Sequence, residues 1–255
     1  MGLFDFLKTK STRPPAPNGK AEAAAKKGAA DKTVAKYADA ISRKAQNYDR
    51  QEALDALSKL GTADAAVVLL KRFTFVVDPS ITDQEEKETA FRGVVAAGVD
   101  ALPAIREFCA RAESLTYPLK MMRELLDDET FVTEVHALLA KFDTEYDRNP
   151  DPKTQLIETL ERTKDPRNRD AVERFLEDFH EPTRFHAVTT LLVHGDPEAA
   201  GPLVRTLLKE EGQRTVNRIA EGLAERGWTI PEELRGPLEN RLPRMYSLVD
   251  GVVTR

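Results

Sequence analysis

Of 255 residues, 41% are hydrophobic, 32% charged and only 7% aromatic, with a formal net charge of −5; this is the balance of a helical protein with a heavily solvated surface. Its single cysteine, Cys109, excludes an intramolecular disulfide and a four-thiolate metal site, and no run of about 20 apolar residues is available to cross a membrane. Residues 1–36 hold eight Lys and Arg against three Asp and Glu, leaving −10 on the remainder, so a basic tail precedes an acidic body.

The first ten residues, MGLFDFLKTK, crowd Leu3, Phe4, Phe6 and Leu7 into a turn and a half and follow them with Lys8 and Lys10. This amphipathic tip (1–10) resembles short membrane-active peptides that begin Gly-Leu-Phe-Asp. Each large side chain is worth about 1.5–3 kcal/mol when buried, and each nearby Lys or Arg adds about 1 kcal/mol against an anionic leaflet. The tip therefore suits either an anionic membrane surface or an apolar groove, on its own chain or on a partner. Charge appears too early for a secretory signal, so the expected location is cytoplasmic, peripheral to a membrane if the tip binds lipid. Residues 11–31, rich in Pro, Gly, Ala and Lys and without a large apolar residue, read as a flexible basic linker.

A helix is expected from Lys32 to about Tyr48, on the stripe Val34, Tyr37, Ala38, Ile41 and Ala45, as a cap on the N-terminal end of a helical stack. Six helix pairs are then expected. The first uses Leu54, Leu57 and Leu60, then Val67, Leu70 and Phe73; the second Phe91, Val94 and Val95, then Leu102, Ile105 and Phe108. The third uses Leu119, Met122 and Leu126, then Phe131, Val135, Leu138 and Phe142; the fourth Leu156, Ile157 and Leu160, then Val172, Phe175, Leu176 and Phe179. The fifth uses Phe185, Val188 and Leu192, then Leu203, Val204 and Leu207; the sixth Val216, Ile219 and Leu223, then Leu234, Leu238 and Leu242.

Turns within the pairs fall near Gly61, Gly98, Asp127, Lys164, Gly195 and Gly227, at the spacing of helical repeats. Asp151-Pro152, Asp165-Pro166 and Asp196-Pro197 each set a capping acid before a proline at the first helical position, and Thr82 with Glu85 fits a capping box. The last residues, YSLVDGVVTR, place Asp250-Gly251 between apolar runs, a type I′ signal for a hairpin that seals the C-terminal end. Trp228 reads as a packing residue.

These units, clearest in LSKLGTADAAVVLLKRF, VVAAGVDALPAIREF and LLVHGDPEAAGPLVRTLLKEE, resemble HEAT repeats and the phycobilisome-lyase type of HEAT-like repeat. The resemblance covers residues 49–242. It implies an α-solenoid of about six antiparallel helix pairs whose second helices line a concave face, used by most relatives as a scaffold or adaptor. The domain reading is tip 1–10, linker 11–31, solenoid 32–242 with its N-terminal capping helix, and C-terminal capping segment 243–255. Pair three departs from the repeat pattern, lacking a turn glycine and carrying Met121-Met122.

Some proteins of this fold are enzymes. Deoxyhypusine hydroxylases hold two irons with repeated His-Glu dipeptides, and here there is one, His180-Glu181, too few for such a site. His186 and His194 lie two turns apart and lack metal-ligand spacing. HEAT-like DNA glycosylases need a basic track, whereas RNRDAVERFLEDF mixes signs and reads as a solvated face of ion pairs four residues apart. Cys109, beside Ile105 and Phe108, reads as a small buried hydrophobe. The expectation is thus a non-enzymatic scaffold needing no metal or cofactor, with a protein or peptide on its concave face and nucleic acid disfavoured. Arg169, Arg174, Arg205 and Arg235 are its candidate polar contacts, beside Leu3, Phe4, Phe6, Leu7, Lys8 and Lys10 at the tip.

Overall fold

The computed structural model describes residues 19–255, with side chains from residue 27 onward. The expected tip lies outside the described residues, as does the linker up to residue 18.

Helix α1, Gly19–Tyr37, corrects two expectations. Residues 19–31 are helical where a flexible linker was expected, because Ala, Glu and Lys are strong helix formers even without an apolar stripe. The helix also ends at Tyr37 instead of Tyr48. Beyond it, Arg50 Nη1 donates to the carbonyls of Ala45 (2.8 Å) and Ser42 (3.4 Å), and Ile41 turns into the core at 3% exposure.

Six helix pairs succeed α1. They are α2 (Asn47–Ser58) with α3 (Ala63–Leu70), α4 (Ser80–Ala96) with α5 (Leu102–Cys109), and α6 (Thr116–Leu125) with α7 (Asp128–Leu139). Then come α8 (Asp151–Glu161) with the short α9 (Asn168–Val172), α10 (Glu181–His194) with α11 (Ala200–Lys209), and α12 (Gln213–Arg226) with α13 (Glu232–Glu239). Four tight 3-10 turns, Lys71–Thr74, Gly98–Ala101, Glu173–Glu177 and Pro197–Ala199, extend or introduce these helices. The chain is mostly helical. Its sheet, among the described residues, is one antiparallel hairpin, β1 (Ser247–Val249) and β2 (Val252–Thr254).

Boundary chemistry matches sequence at most turns. Gly61, Gly98, Gly195 and Gly227 all have positive φ, between 56° and 77°, the left-handed conformation that ends helices at glycine. Asp127 caps α7 through Thr130 N, and Asp196 accepts from Glu198 N with Pro197 behind it. Three caps differ. α4 starts at Ser80, so Thr82 is inside the helix and forms no box with Glu85. Asp151 is the first residue of α8 and not its cap. Asp165 accepts from Arg167 N in a turn before α9 begins. Its carboxyl is held down at about 2 by the Arg167 guanidinium.

Neighbours alternate within two stretches, α2–α6 and α7–α13. First helices meet first helices: α2 packs on α4, α4 on α6, α8 on α10 and α10 on α12. Second helices meet second helices: α3 on α5, α7 on α9, the Glu173–Glu177 turn on α11 and α11 on α13. One continuous apolar core runs through them from Ile41 to Val253. The hairpin closes the far end, with Thr229 bridging to Val252, Ile230 N donating to Gly251 O (2.8 Å), and Trp228 buried behind. Asp250 and Gly251 have φ of 51° and 80°, as the type I′ turn requires.

Candidate functional site

Arg169, Arg174 and Arg205, drawn from three points of the sequence, converge. The Glu173–Glu177 turn and α11 border an open cleft of about 500 Å³ to which all three contribute, with Glu173, Glu177 and Pro202. Each has a different electrostatic state. Arg169 is neutralised, since Asp170, Asp196 and Glu198 all pair with it, the last at 2.6 Å. It ties α9 to the cap of the next pair. Arg174 donates to Leu139 O (3.0 Å) and lies over Phe175 at 4.5 Å. These links replace the ion pairs four residues apart expected on this face. Arg205 is exposed, and among the described residues no carboxylate pairs with it.

Arg235 stands elsewhere, outside this cleft. Its Nε donates to Ile230 O (3.0 Å) and its guanidinium lies against Gly251, where a Cβ would come within 2.8 Å of Cζ. Through these contacts it braces the C-terminal hairpin.

A second cleft of about 500 Å³ continues the first, sharing Leu176, Glu177 and Thr206 and adding Asp178, Arg184, Lys209 and Glu210. Its wall is fixed by Arg184, which grips Glu210 with two hydrogen bonds of 2.7 and 2.8 Å and holds that carboxyl below the usual range. Behind Asp178 sits Lys153, 2.7 Å away, both fully buried. Phe179, next in the chain, was expected in the core but is 67% exposed. It meets Tyr146, itself 70% exposed, edge to face at 5.3 Å. The Phe179 N–H donates to Thr144 O, and the buried Asp178 before it leaves the ring to point outward.

A different opening lies near the N-terminal end. Val67, Leu70, Phe73, Phe75, Ala104 and Phe108 line an apolar groove of about 590 Å³, rimmed by Lys71, Lys87, Glu107, Arg111 and Glu113. Val67, expected to be buried, is 52% exposed on it. Beneath the groove's loop is a buried ion network that sequence reasoning missed. Glu86 takes Arg50 through both carboxylate oxygens (2.7 and 2.8 Å) and Arg72 Nε (2.6 Å), while Arg72 Nη2 reaches Asp83 (2.7 Å). Arg50, Arg72 and Glu86 are all at most 1% exposed. Burial pushes the Asp83 carboxyl up, but Lys87 and Arg72 together hold it below its ordinary value. The partners of Glu86 are 36 and 14 residues distant, so no local pattern announces them.

The remaining chemistry-bearing groups are engaged in packing. Burial pushes the Cys109 thiol up to about 12, which leaves it protonated and inert. Asn168 is a buried hub, with Oδ1 2.7 Å from His136 Nε2 and Nδ2 donating to Thr163 O and facing His194 Nε2 at 3.0 Å. His186 lies 3.4 Å from Glu161, and Glu181 accepts from Thr215. Among the described residues no group of three or more His, Cys, Asp or Glu could hold a metal ion, and no helix is long and apolar enough to cross a membrane. The tip candidates Leu3, Phe4, Phe6, Leu7, Lys8 and Lys10 lie outside the described residues. No protein-family model and no curated protein matches the chain.

Proposed function

We propose that this chain is a HEAT-like α-solenoid that serves as a non-enzymatic protein-binding scaffold, holding an extended peptide segment along its second helices. The alternation of neighbours supports the solenoid: on either side of pair three, first helices pack on first helices and second on second, as stacked repeats require. The observation that carries the binding reading is the convergence of Arg169, Arg174 and Arg205 in one open cleft between successive second helices. Arg169 shapes the wall through its three carboxylates, and Arg205 supplies a cation with no internal partner among the described residues. A peptide carboxylate suits that cation, and the exposed Tyr146–Phe179 pair beside the adjoining cleft offers an apolar anchor of the kind enriched at interfaces. The acidic body opposes nucleic acid at long range.

The test is affinity capture from the source cells with the full-length chain beside R174E/R205E. Capture of one partner by the first, with about tenfold weaker retention by the second, is expected, since a lost charge-assisted contact is worth about 1.5–3 kcal/mol. Equal retention by both would sink the cleft reading.

A further inference from the structure

We infer that the apolar groove between α3 and α5 is the docking site of the chain's own N-terminal tip, through Leu3, Phe4, Phe6 and Leu7. The groove's volume of about 590 Å³ falls in the range of about 300–1,000 Å³ typical of sites that take compact apolar ligands. It leaves two large apolar residues, Val67 and Val76, 52% and 63% exposed, where partial burial by an apolar segment is favourable.

Connectivity points to the same occupant. Val34 and Tyr37, near the end of α1, pack against the core. Lys71, on the groove's rim, donates to Ala38 O (3.3 Å), one residue past that helix. The C-terminal end of α1 is thus anchored beside the groove. α1 spans about 28 Å at 1.5 Å per residue, and the segment 8–18 reaches up to about 36 Å when extended. A chain that turns back along α1 therefore has the length to return the tip to the rim.

Charge agrees as well. Lys8 and Lys10 come after the apolar cluster, and the rim carries Glu107 and Glu113, the latter exposed and without an ion pair among the described residues. Asp5 has Lys71 and Arg111 on the same rim to meet. The four apolar side chains fill the groove while the three charges stay at its solvated edge.

The test places a photo-reactive p-benzoylphenylalanine at position 4 of the full-length chain and maps cross-links by mass spectrometry. The expected product is a monomer cross-linked to residues 67–76 or 104–114, with a yield independent of protein concentration. In V67D that yield drops about tenfold, because a carboxylate buried against apolar rings is strongly disfavoured, while helical circular dichroism is unchanged because position 67 is half exposed. Cross-links elsewhere or between chains, an unchanged yield in V67D, or predominant lipid adducts with phosphatidylserine–phosphatidylcholine vesicles would each overturn the proposal.

Discussion

Glu86 joins three segments that are distant in sequence: Arg50 from α2, Arg72 from the Lys71–Thr74 turn, and its own helix α4. Two buried guanidiniums share the Glu86 carboxylate; Arg72 also pairs with Asp83, and the other N–H groups go to Ala45 O, Asn47 Oδ1 and Phe75 O. A network so fully bonded offsets its own desolvation; a broken one does not. Glu86→Gln keeps the shape and one acceptor but removes, among the described residues, the only carboxylate paired with buried Arg50 and one of the two paired with buried Arg72. We expect it to lower stability by about 3–5 kcal/mol in urea denaturation, and a loss under about 1 kcal/mol would show that the network is peripheral to stability. Burial, more than charge count, gives these residues their weight, since exposed pairs such as Arg111–Glu107 are each worth about 0–1 kcal/mol.

Among the helices, glycine separates turn geometry from close packing. Gly227 ends α12 at φ 61° with open space around its missing Cβ, whereas Gly93 lies inside α4 where a Cβ would meet Leu69 Cδ1 at 2.6 Å and Ser58 Cα at 2.8 Å. Gly227→Ala should lose only the left-handed backbone term, about 1–2 kcal/mol. Gly93→Ala must push α4 off α2 and α3, costing up to about 3 kcal/mol. Thermal melts that rank Gly227→Ala as the worse of the two would contradict this packing. The same contrast explains what could be read from sequence. Turn glycines and the Asp250-Gly251 hairpin are local chemistry and were legible; that Arg169, Arg174 and Arg205 share one cleft was not, because it depends on how separate helices pack. Arg235 was not separable from them, because its partner Gly251 is far along the chain. The groove was hidden because Val67 and Phe73 fit the apolar stripe; the stripe identifies the inward side of a helix but not where a neighbour fails to cover it. The extent of α1 was missed because an apolar-pattern reading ignores helices that need no core.

At the scale of the whole molecule, pair three is where the pattern loosens. α6 packs on α4 and α5, and α7 on α8 and α9, with only a thin contact between α6 and α7 themselves. A cleft of about 380 Å³ opens there between Leu119, Arg123, Phe131 and Gln155. Several links across the seam are polar: Arg106 to Glu134, the exposed pair Arg123–Asp128 at 3.0 Å, and Gln155 accepting from Leu115 N at 2.6 Å. Hydrogen bonds and exposed ion pairs contribute less per contact than interdigitated apolar side chains. In a chain of nearest-neighbour contacts the weakest junction sets where cooperativity breaks. Native-state hydrogen exchange in increasing denaturant should therefore resolve two blocks, α2–α6 and α7–α13, dividing at Leu126–Asp127, with the amides on either side opening at different free energies. The two blocks hold different openings, the apolar groove in the first and the arginine cleft in the second. A weak seam would let each keep its shape while the angle between them adapts to a partner. If all core amides instead exchange through one global opening, the seam is as strong as the other junctions and the two openings move as one rigid body.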